Sequence, residues 1–393
     1  MLWSRLFLAS STLTSKVIDR LILPFNTMTT FFFRRSIEKA FQLDEQPSGL
    51  SLNPNKPFTS NPPYISSAVD DIMYIVNKVL QQSLATSQRD VVSSVVPTLS
   101  RVMGSDFIGM IQRKMKDESY PKAAMHGALP PEHTIVAFLV LVNDLEIAVD
   151  YVKQIVRPQV AISVSEGQTP NPLTKFFPVH EDLEAVRNVM KSLEVSFETK
   201  AVELLNDGLH VVFNNVMKPR LRPILLDAFR DVDYQMTREE LSQLAQEEGH
   251  EEDDEGGMVR RRFQHGWDAL TKPIGRIMTE TTFDRLLSII ISYLSKLLEK
   301  RIWTYHGRIN EFGAVRLERD MNNIASVIVH GKKYVYRDAF LKCSQICMVM
   351  NMEEDEWEEL QGAVGADGES EVADRLDSDE RTRARAMIRE ITD

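Results

Sequence analysis

The stretch EDLEAVRNVMKSLEVSFETKAVELLNDGLHVVFNNVMK, Glu181 to Lys218, decides the fold class. Leu183, Val186, Met190, Leu193 and Phe197 recur at steps of three and four. After a four-residue step to Ala201 the stripe resumes through Leu205, Leu209, Val212 and Val216. Such spacing puts every apolar side chain on one face of an α-helix, and its heptad-like run with one stutter is that of a helix packed lengthwise on other helices. Lys218 and Pro219 are expected to end it, because proline lacks an amide donor and clashes with the preceding turn.

A second apolar face runs through Phe283, Leu286, Leu287, Ile290, Leu294, Leu297, Leu298 and Ile302. It predicts one long helix from about Thr271, with Pro273 tolerated in its first turns. Period-two alternation of strand length is nearly absent, so the fold class is all-α, built of serial antiparallel helices in bundles or bundle stacks.

Between the helical runs lie segments of different chemistry. DEQPSGLSLNPNKPFTSNPPYIS, from Asp44, is rich in Pro, Ser and Asn and separates a short leading helix from the run that begins near Ser66. Further loops are expected at Tyr120–Pro131 and over RPQVAISVSEGQTPNPLTKFFP, from Arg157. The acidic insertion near 246–257 has almost no apolar residue to bury and is expected to be disordered. The domain reading is therefore an amino-terminal segment at 1–30, expected to be disordered or mis-started, a helical bundle at 31–180, a long-helix bundle at 181–303 and a small carboxy-terminal helical module at 304–393.

Composition narrows function. With 46 Lys and Arg against 57 Asp and Glu, the net charge of −11 argues against nucleic acid as the main partner, because phosphate contacts need a basic surface. Cys343 and Cys347 lack the neighbouring ligands of a zinc site and suit a reducing compartment. The longest apolar runs, TIVAFLVLV from Thr134 and LLSIIISYL from Leu286, are about half the roughly 20 residues that span a bilayer and read as buried helix. The first residues, MLWSRLFLASSTLTSKVIDRLILPF, mimic an amphipathic presequence, and a mistaken start would leave the same kind of apolar segment.

SSAVDDIMYIVNKVL, from Ser66, poses the one metal question. Helical Mg²⁺ sites use aspartates at i and i+4, whereas four residues after Asp70 comes Tyr74, and after Asp71 comes Ile75. Ser66 or Ser67 is expected to cap the helix, with both aspartates favoured by its positive end. No G-x-S-x-G, P-loop, G-x-G-x-x-G or H-E-x-x-H occurs, so no catalytic, cofactor-binding or metal residue is assigned and no cofactor is expected. A metal-dependent enzyme using Asp70 and Asp71 stands as one reading of these residues.

FFFRRSIEKAFQLD from Phe31, SSAVDDIMYIVNKVL from Ser66, VAFLVLVNDLEI from Val136, and FGAVRLERDMNNI from Phe312 with RDAFLKCSQICMVMNM behind it occur in the order and spacing of one family. Together they resemble the fourth subunit of the conserved oligomeric Golgi complex. The resemblance covers Phe31 to the end and implies an elongated stack of antiparallel helical bundles, the fold of helical-rod tethers. It implies a non-catalytic subunit in intra-Golgi retrograde transport, to which the metal-dependent enzyme using Asp70 and Asp71 and a generic helical adaptor outside the Golgi are the alternatives. The implied partners are sister subunits, Golgi SNAREs with their regulators, and small GTPases, reached from a peripheral position on the cytosolic face of the Golgi membrane.

In that family a comparably long helical half precedes the shared region, so the chain reads as a carboxy-terminal half, with residues 1–30 unrelated. The resemblance also implies a structural charge pair. By position its basic member is Lys342 and its acid Glu380, in RLDSDERTRARAMIRE, although Ser378 as a cap would place Asp379 and Glu380 in a first helical turn with no need of a lysine.

Overall fold

A computed structural model describes residues 12–122, 128–161, 172–243, 257–329, 334–367 and 373–388. Among these the fold is all-α; no strand forms, and an isolated bridge pairs Ile309 with Ile388. The acidic insertion lies outside the described residues apart from Gly257. The chain divides into two compact units. The first comprises Met1–Ala124, Ala128–Val212 and Pro273–Phe283; the second comprises Met125–Gly127, Phe213–Lys272 and Asp284–Asp393. This division differs from the sequence boundaries, and the long helix expected to open the second bundle belongs to the first unit.

In the first unit α1 (Thr12–Gln42) is one helix of 31 residues, so the expected boundary after residue 30 falls inside it. Pro24 costs that helix one backbone hydrogen bond without ending it. α2 (Ser67–Ala85) follows the predicted loop. α3 (Arg89–Val102) continues through a π-helical turn (Met103–Phe107), Ile108–Arg113 and a second π turn (Lys114–Glu118). α4 (Glu132–Val160), the short α5 (Pro172–Phe176) and α6 (His180–Val212) follow, and Pro273–Phe283 returns to the unit later in the chain.

α6 packs on α4 and α3, while α1 packs on α3 and α2. The predicted stripe is the reason: Val186, Met190, Leu193, Phe197, Ala201, Leu205, Leu209 and Val212 are all buried. Gly208 allows close approach, since a Cβ there would meet Met115 Cε at 2.7 Å and Val142 Cγ2 at 3.3 Å. The rings of Phe41, Phe107 and Phe197 join α1, the π turn that follows α3, and α6 in series, with centroids 5.9 and 6.1 Å apart.

Two expected helix limits are corrected. The helix does not stop at Lys218 and Pro219: a π-helical turn at Phe213–Met217 leads directly into α7 (Lys218–Ala228), which takes Pro219 in its first turn. There a missing amide donor is harmless. The helix expected from Thr271 is two helices, α8 (Gly257–Gly275) and α9 (Glu280–Trp303), so Pro273 lies near an end and not a start. Thr279 opens α9, its hydroxyl accepting from the Thr282 amide at 3.4 Å. The apolar face itself is buried as predicted at Leu286, Leu287, Ile290, Leu294, Leu298 and Ile302.

The second unit adds α10 (Glu311–Val329), a 3₁₀ segment (Tyr334–Phe340), α11 (Leu341–Asn351), α12 (Glu354–Asp367) and α13 (Ser378–Arg385). α11 packs on α10 and α13. α10 starts against the loop that carries Tyr234 and Met236: Asn310 Nδ2 donates to the Met236 carbonyl at 2.7 Å, and Asn310 Oδ1 accepts from the Gly313 amide at 2.9 Å. A Cβ at Gly313 would overlap the Tyr234 carbonyl oxygen, so only glycine fits. The buried Tyr234 hydroxyl donates to Asp320 at 2.8 Å. Gly313 and Asp320, both in FGAVRLERDMNNI, thus clamp one loop from one helix.

Candidate functional site

The structure brings Lys342 and Glu380 together. Lys342 projects from α11, and its Nζ lies 2.6 Å from Glu380 Oε1 on α13 and 3.1 Å from Glu299 Oε1 on α9. All three side chains are a quarter to a third exposed. One ammonium therefore ties three helices of the second unit. The Glu380 contact, opposed by partial burial and aided by Glu299, raises the Lys342 pKa above that of a free lysine.

The capping role is filled at the same time. Asp377, not Ser378, is the N-cap of α13; its carboxylate accepts from the Glu380 amide at 2.7 Å, and Glu380 Oε2 accepts from the Asp377 amide at 3.3 Å. This is a capping box, and Glu380 serves it with one oxygen and Lys342 with the other. Beside this node Gln345 joins α11 to the segment before α13, donating to Asp374 Oδ1 at 2.6 Å and accepting from the Arg375 amide at 2.9 Å. Glu299 was missed from sequence, since nothing local in LLSIIISYLSKLLEK shows which helix it will face.

Asp70 and Asp71 are both exposed at the start of α2. Asp70 Oδ1 accepts from the Tyr151 hydroxyl at 2.7 Å, a contact that raises the tyrosine pKa. The groove beside them is lined by Asp70, Met73, Tyr74, Asn77, Tyr151 and Gln154 and brings no second carboxylate. Among the described residues no group of three His, Cys, Asp or Glu side chains is placed to hold a metal ion. Cys343 and Cys347 are buried thiols, and burial pushes Cys343 up to about 12, far from a reactive thiolate.

A buried polar junction was not anticipated. Neither Ser66 nor Ser67 caps α2 with its hydroxyl: Ser67 Oγ accepts from the Glu45 amide instead, at 2.9 Å. The orphan amides of the helix start go to distant carboxylates. Asp144 Oδ1 accepts from Ser66 at 2.8 Å, and Asp44 Oδ1 accepts from Ala68 at 3.3 Å while Asp44 Oδ2 holds Lys114 at 2.6 Å.

Burial pushes Asp144 up to about 7; the Ser66 amide and hydroxyl and Lys114 oppose the rise, and Asp44 adds to it. Next to it Asn143 donates to the carbonyls of Tyr64 at 3.0 Å and Ile277 at 2.8 Å and accepts from the Thr279 amide at 3.2 Å. The adjacent Asn and Asp inside VAFLVLVNDLEI were the visible signal, since a polar pair in an otherwise apolar buried run must find partners. These junctions are structural: they bind elements to one another and offer no convergent nucleophile and base.

Comparison with known proteins follows the same lines. The family described as Conserved oligomeric Golgi complex subunit 4, C-terminal, matches residues 138–383, and that described as COG4 transport protein, middle alpha-helical bundle, matches residues 2–115. The latter takes in nearly all of residues 1–30, set apart from the family on sequence. Conserved oligomeric Golgi complex subunit 4 of Arabidopsis thaliana is 23% identical over 341 residues, which is 86% of this chain and 41% of the relative. That of Mus musculus is 21% identical over 375 residues, 88% of this chain and 43% of the relative. The chain thus spans less than half the length of these relatives. Among solved structures, the C-terminal domain of the exocyst subunit Sec6p superposes with a TM-score of 0.57 at 13% identity, covering 96% of this chain and 87% of that one. At that identity the likeness is one of fold.

Proposed function

The chain belongs to the conserved oligomeric Golgi complex subunit 4 family, and from that membership we propose that it acts as a non-catalytic subunit of a vesicle-tethering complex in intra-Golgi retrograde transport, working through protein–protein binding. The observation that carries the reading is the pair of family matches, middle bundle then carboxy-terminal region, in family order along one chain. The all-α fold shared with the C-terminal domain of the exocyst subunit Sec6p is compatible with it. No helix among the described residues is long and apolar enough to cross a membrane, and peripheral association requires none. Its partners on this reading are the sister subunits, Golgi SNAREs and their regulators, and small GTPases, met on the cytosolic face of the Golgi membrane. The Lys342–Glu380 contact, with Glu299, is the structural pair that keeps the end helices in one module on which such partners can rely.

The test is isolation of the tagged chain from cells that make the remaining subunits. Enrichment of those subunits, together with coincidence of the tagged chain with a Golgi marker, is expected. A folded chain that brings down none of them and spreads through the cell sinks the reading.

A further inference from the structure

α1 turns two different faces outward and inward. Phe33, Ile37, Ala40 and Phe41 are buried within the first unit, and Asn26 donates to Ser94 on α3. On the opposite side Leu21, Phe25, Met28, Phe31 and Phe32 are large apolar side chains exposed to between 43% and 73%. Single exposed apolar residues are ordinary; five on one face within about three turns, with Leu23 exposed off that face as a sixth, are not. Their order is also regular. Leu21 and Met28 are seven apart, as are Phe25 and Phe32, and Phe31 stands three after Met28. Such a period is the a, d and e pattern that one helix offers another, with about 1.5 Å of rise per residue giving a seam of roughly 16 Å.

The seam has charge at its ends. Arg20 precedes it, and Arg35 and Lys39 continue its a and e positions, all exposed, with Glu38 offsetting Arg35 at 2.7 Å. Basic side chains around an apolar seam are complementary to a helix with acidic residues beside its own apolar stripe. An anionic bilayer would meet the same basic side chains but needs no seven-residue period, so it is the spacing that favours a helix. We propose that the outward face of α1, Leu21 to Phe32, is a docking seam for one amphipathic α-helix with acidic flanks.

The curated relatives supply a probe, because their matched stretch is under half their length and the first family match is to a middle bundle. The portion of the Arabidopsis thaliana relative that precedes its match to this chain, made as a separate fragment, is titrated into the 393-residue chain by calorimetry. Saturable binding is expected. It should weaken at least about tenfold in Met28→Ser/Phe32→Ser, and also in Arg35→Glu/Lys39→Glu and with added salt. The circular-dichroism melt should fall little in each, because these side chains face outward and the Arg35–Glu38 pair is exposed.

Absence of binding, or binding indifferent to both variants, overturns the proposal. So does flotation with phosphatidylserine vesicles, or a concentration-dependent dimer, that the Met28→Ser/Phe32→Ser chain loses while the fragment does not bind; the face would then belong to a membrane or to a second copy. The seam is read from α1 alone, so failure to co-isolate sister subunits leaves this titration independently decisive.

Discussion

Asp144 Oδ1 receives the backbone amide of Ser66 at 2.8 Å, and both residues are fully buried. A helix start is thereby held by a carboxylate 78 residues away, just past the apolar run TIVAFLVLV of α4. Such a cap is neutral or charged according to pH, because burial lifts Asp144 to about 7.

The pH dependence has a definite sign. The folded state holds the Asp144 proton to about 7, against an ordinary value of 3.8. The stability gained by proton uptake is therefore complete below the unfolded value and is lost as pH rises toward 7. Between pH 5 and pH 8 this loss is about 2 to 3 kcal/mol. Asp144→Asn keeps an oxygen for Ser66 and cannot ionise, so its urea-denaturation stability should vary less across that interval by about the same amount. An equal pH slope in both proteins would show that Asp144 stays ionised in the fold.

Two glycines make opposite forecasts. A methyl at Gly313 would overlap the Tyr234 carbonyl, a backbone atom that cannot yield without moving the loop, so Gly313→Ala should cost more than about 3 kcal/mol or unfold the second unit. Gly109 sits in a helix with nothing within 4 Å of an added methyl, and Gly109→Ala should stabilise by about 0.5 to 1 kcal/mol. Denaturant midpoints of the two variants check both; a mild Gly313→Ala would mean the loop adapts.

Asp70 and Asp71 should matter little. Replacing both with alanine removes one exposed hydrogen bond to Tyr151 and the charges at a helix start, a loss of no more than about 1 to 2 kcal/mol. Tyr151→Phe should reproduce most of the Asp70 part. Mg²⁺ with a diphosphate should leave the melting temperature of the parent chain where it was; a saturable rise would reopen the metal reading.

The parts of this fold that were legible in sequence are those decided by periodicity. The stripe from Val186 to Val212 and the face from Leu286 to Ile302 are buried as read, because an amphipathic helix has one way to hide its apolar side. Most of the failures depend on distant partners or on a proline whose context was misjudged, and one on a local pairing. The break before Glu280 is stabilised by Asn143, which takes the Ile277 carbonyl and the Thr279 amide from more than 130 residues away. Pro219 fails to stop a helix because the preceding turn widens to π geometry. The N-cap of α13 fell one residue from the serine favoured on propensity, since Asp377 can pair reciprocally with Glu380 three residues on.

The Lys342 node yields the sharpest energetic forecast. Lys342 stands between Glu380 and Glu299, so neither acid alone accounts for its position. A lysine offers a point charge that two carboxylates can share, and partial burial spares the contacts from full solvent screening. In a double-mutant cycle of Lys342→Ala and Glu380→Ala, the coupling should be about 0.5 to 1 kcal/mol. Glu380→Ala also breaks the capping box, a cost of about 1 kcal/mol that persists when Lys342 is already alanine. The cycle cancels that shared cost and leaves the contact itself. Lys342→Ala should cost less in a Glu299→Ala background than in the parent chain, because the lysine then has one partner fewer to leave behind. The contact raises the lysine pKa, so the coupling should be complete at neutral pH and fade only as alkali titrates the ammonium above its ordinary value of 10.5. Simple additivity of the two substitutions at pH 7 would mean that the three helices are held by their apolar faces alone.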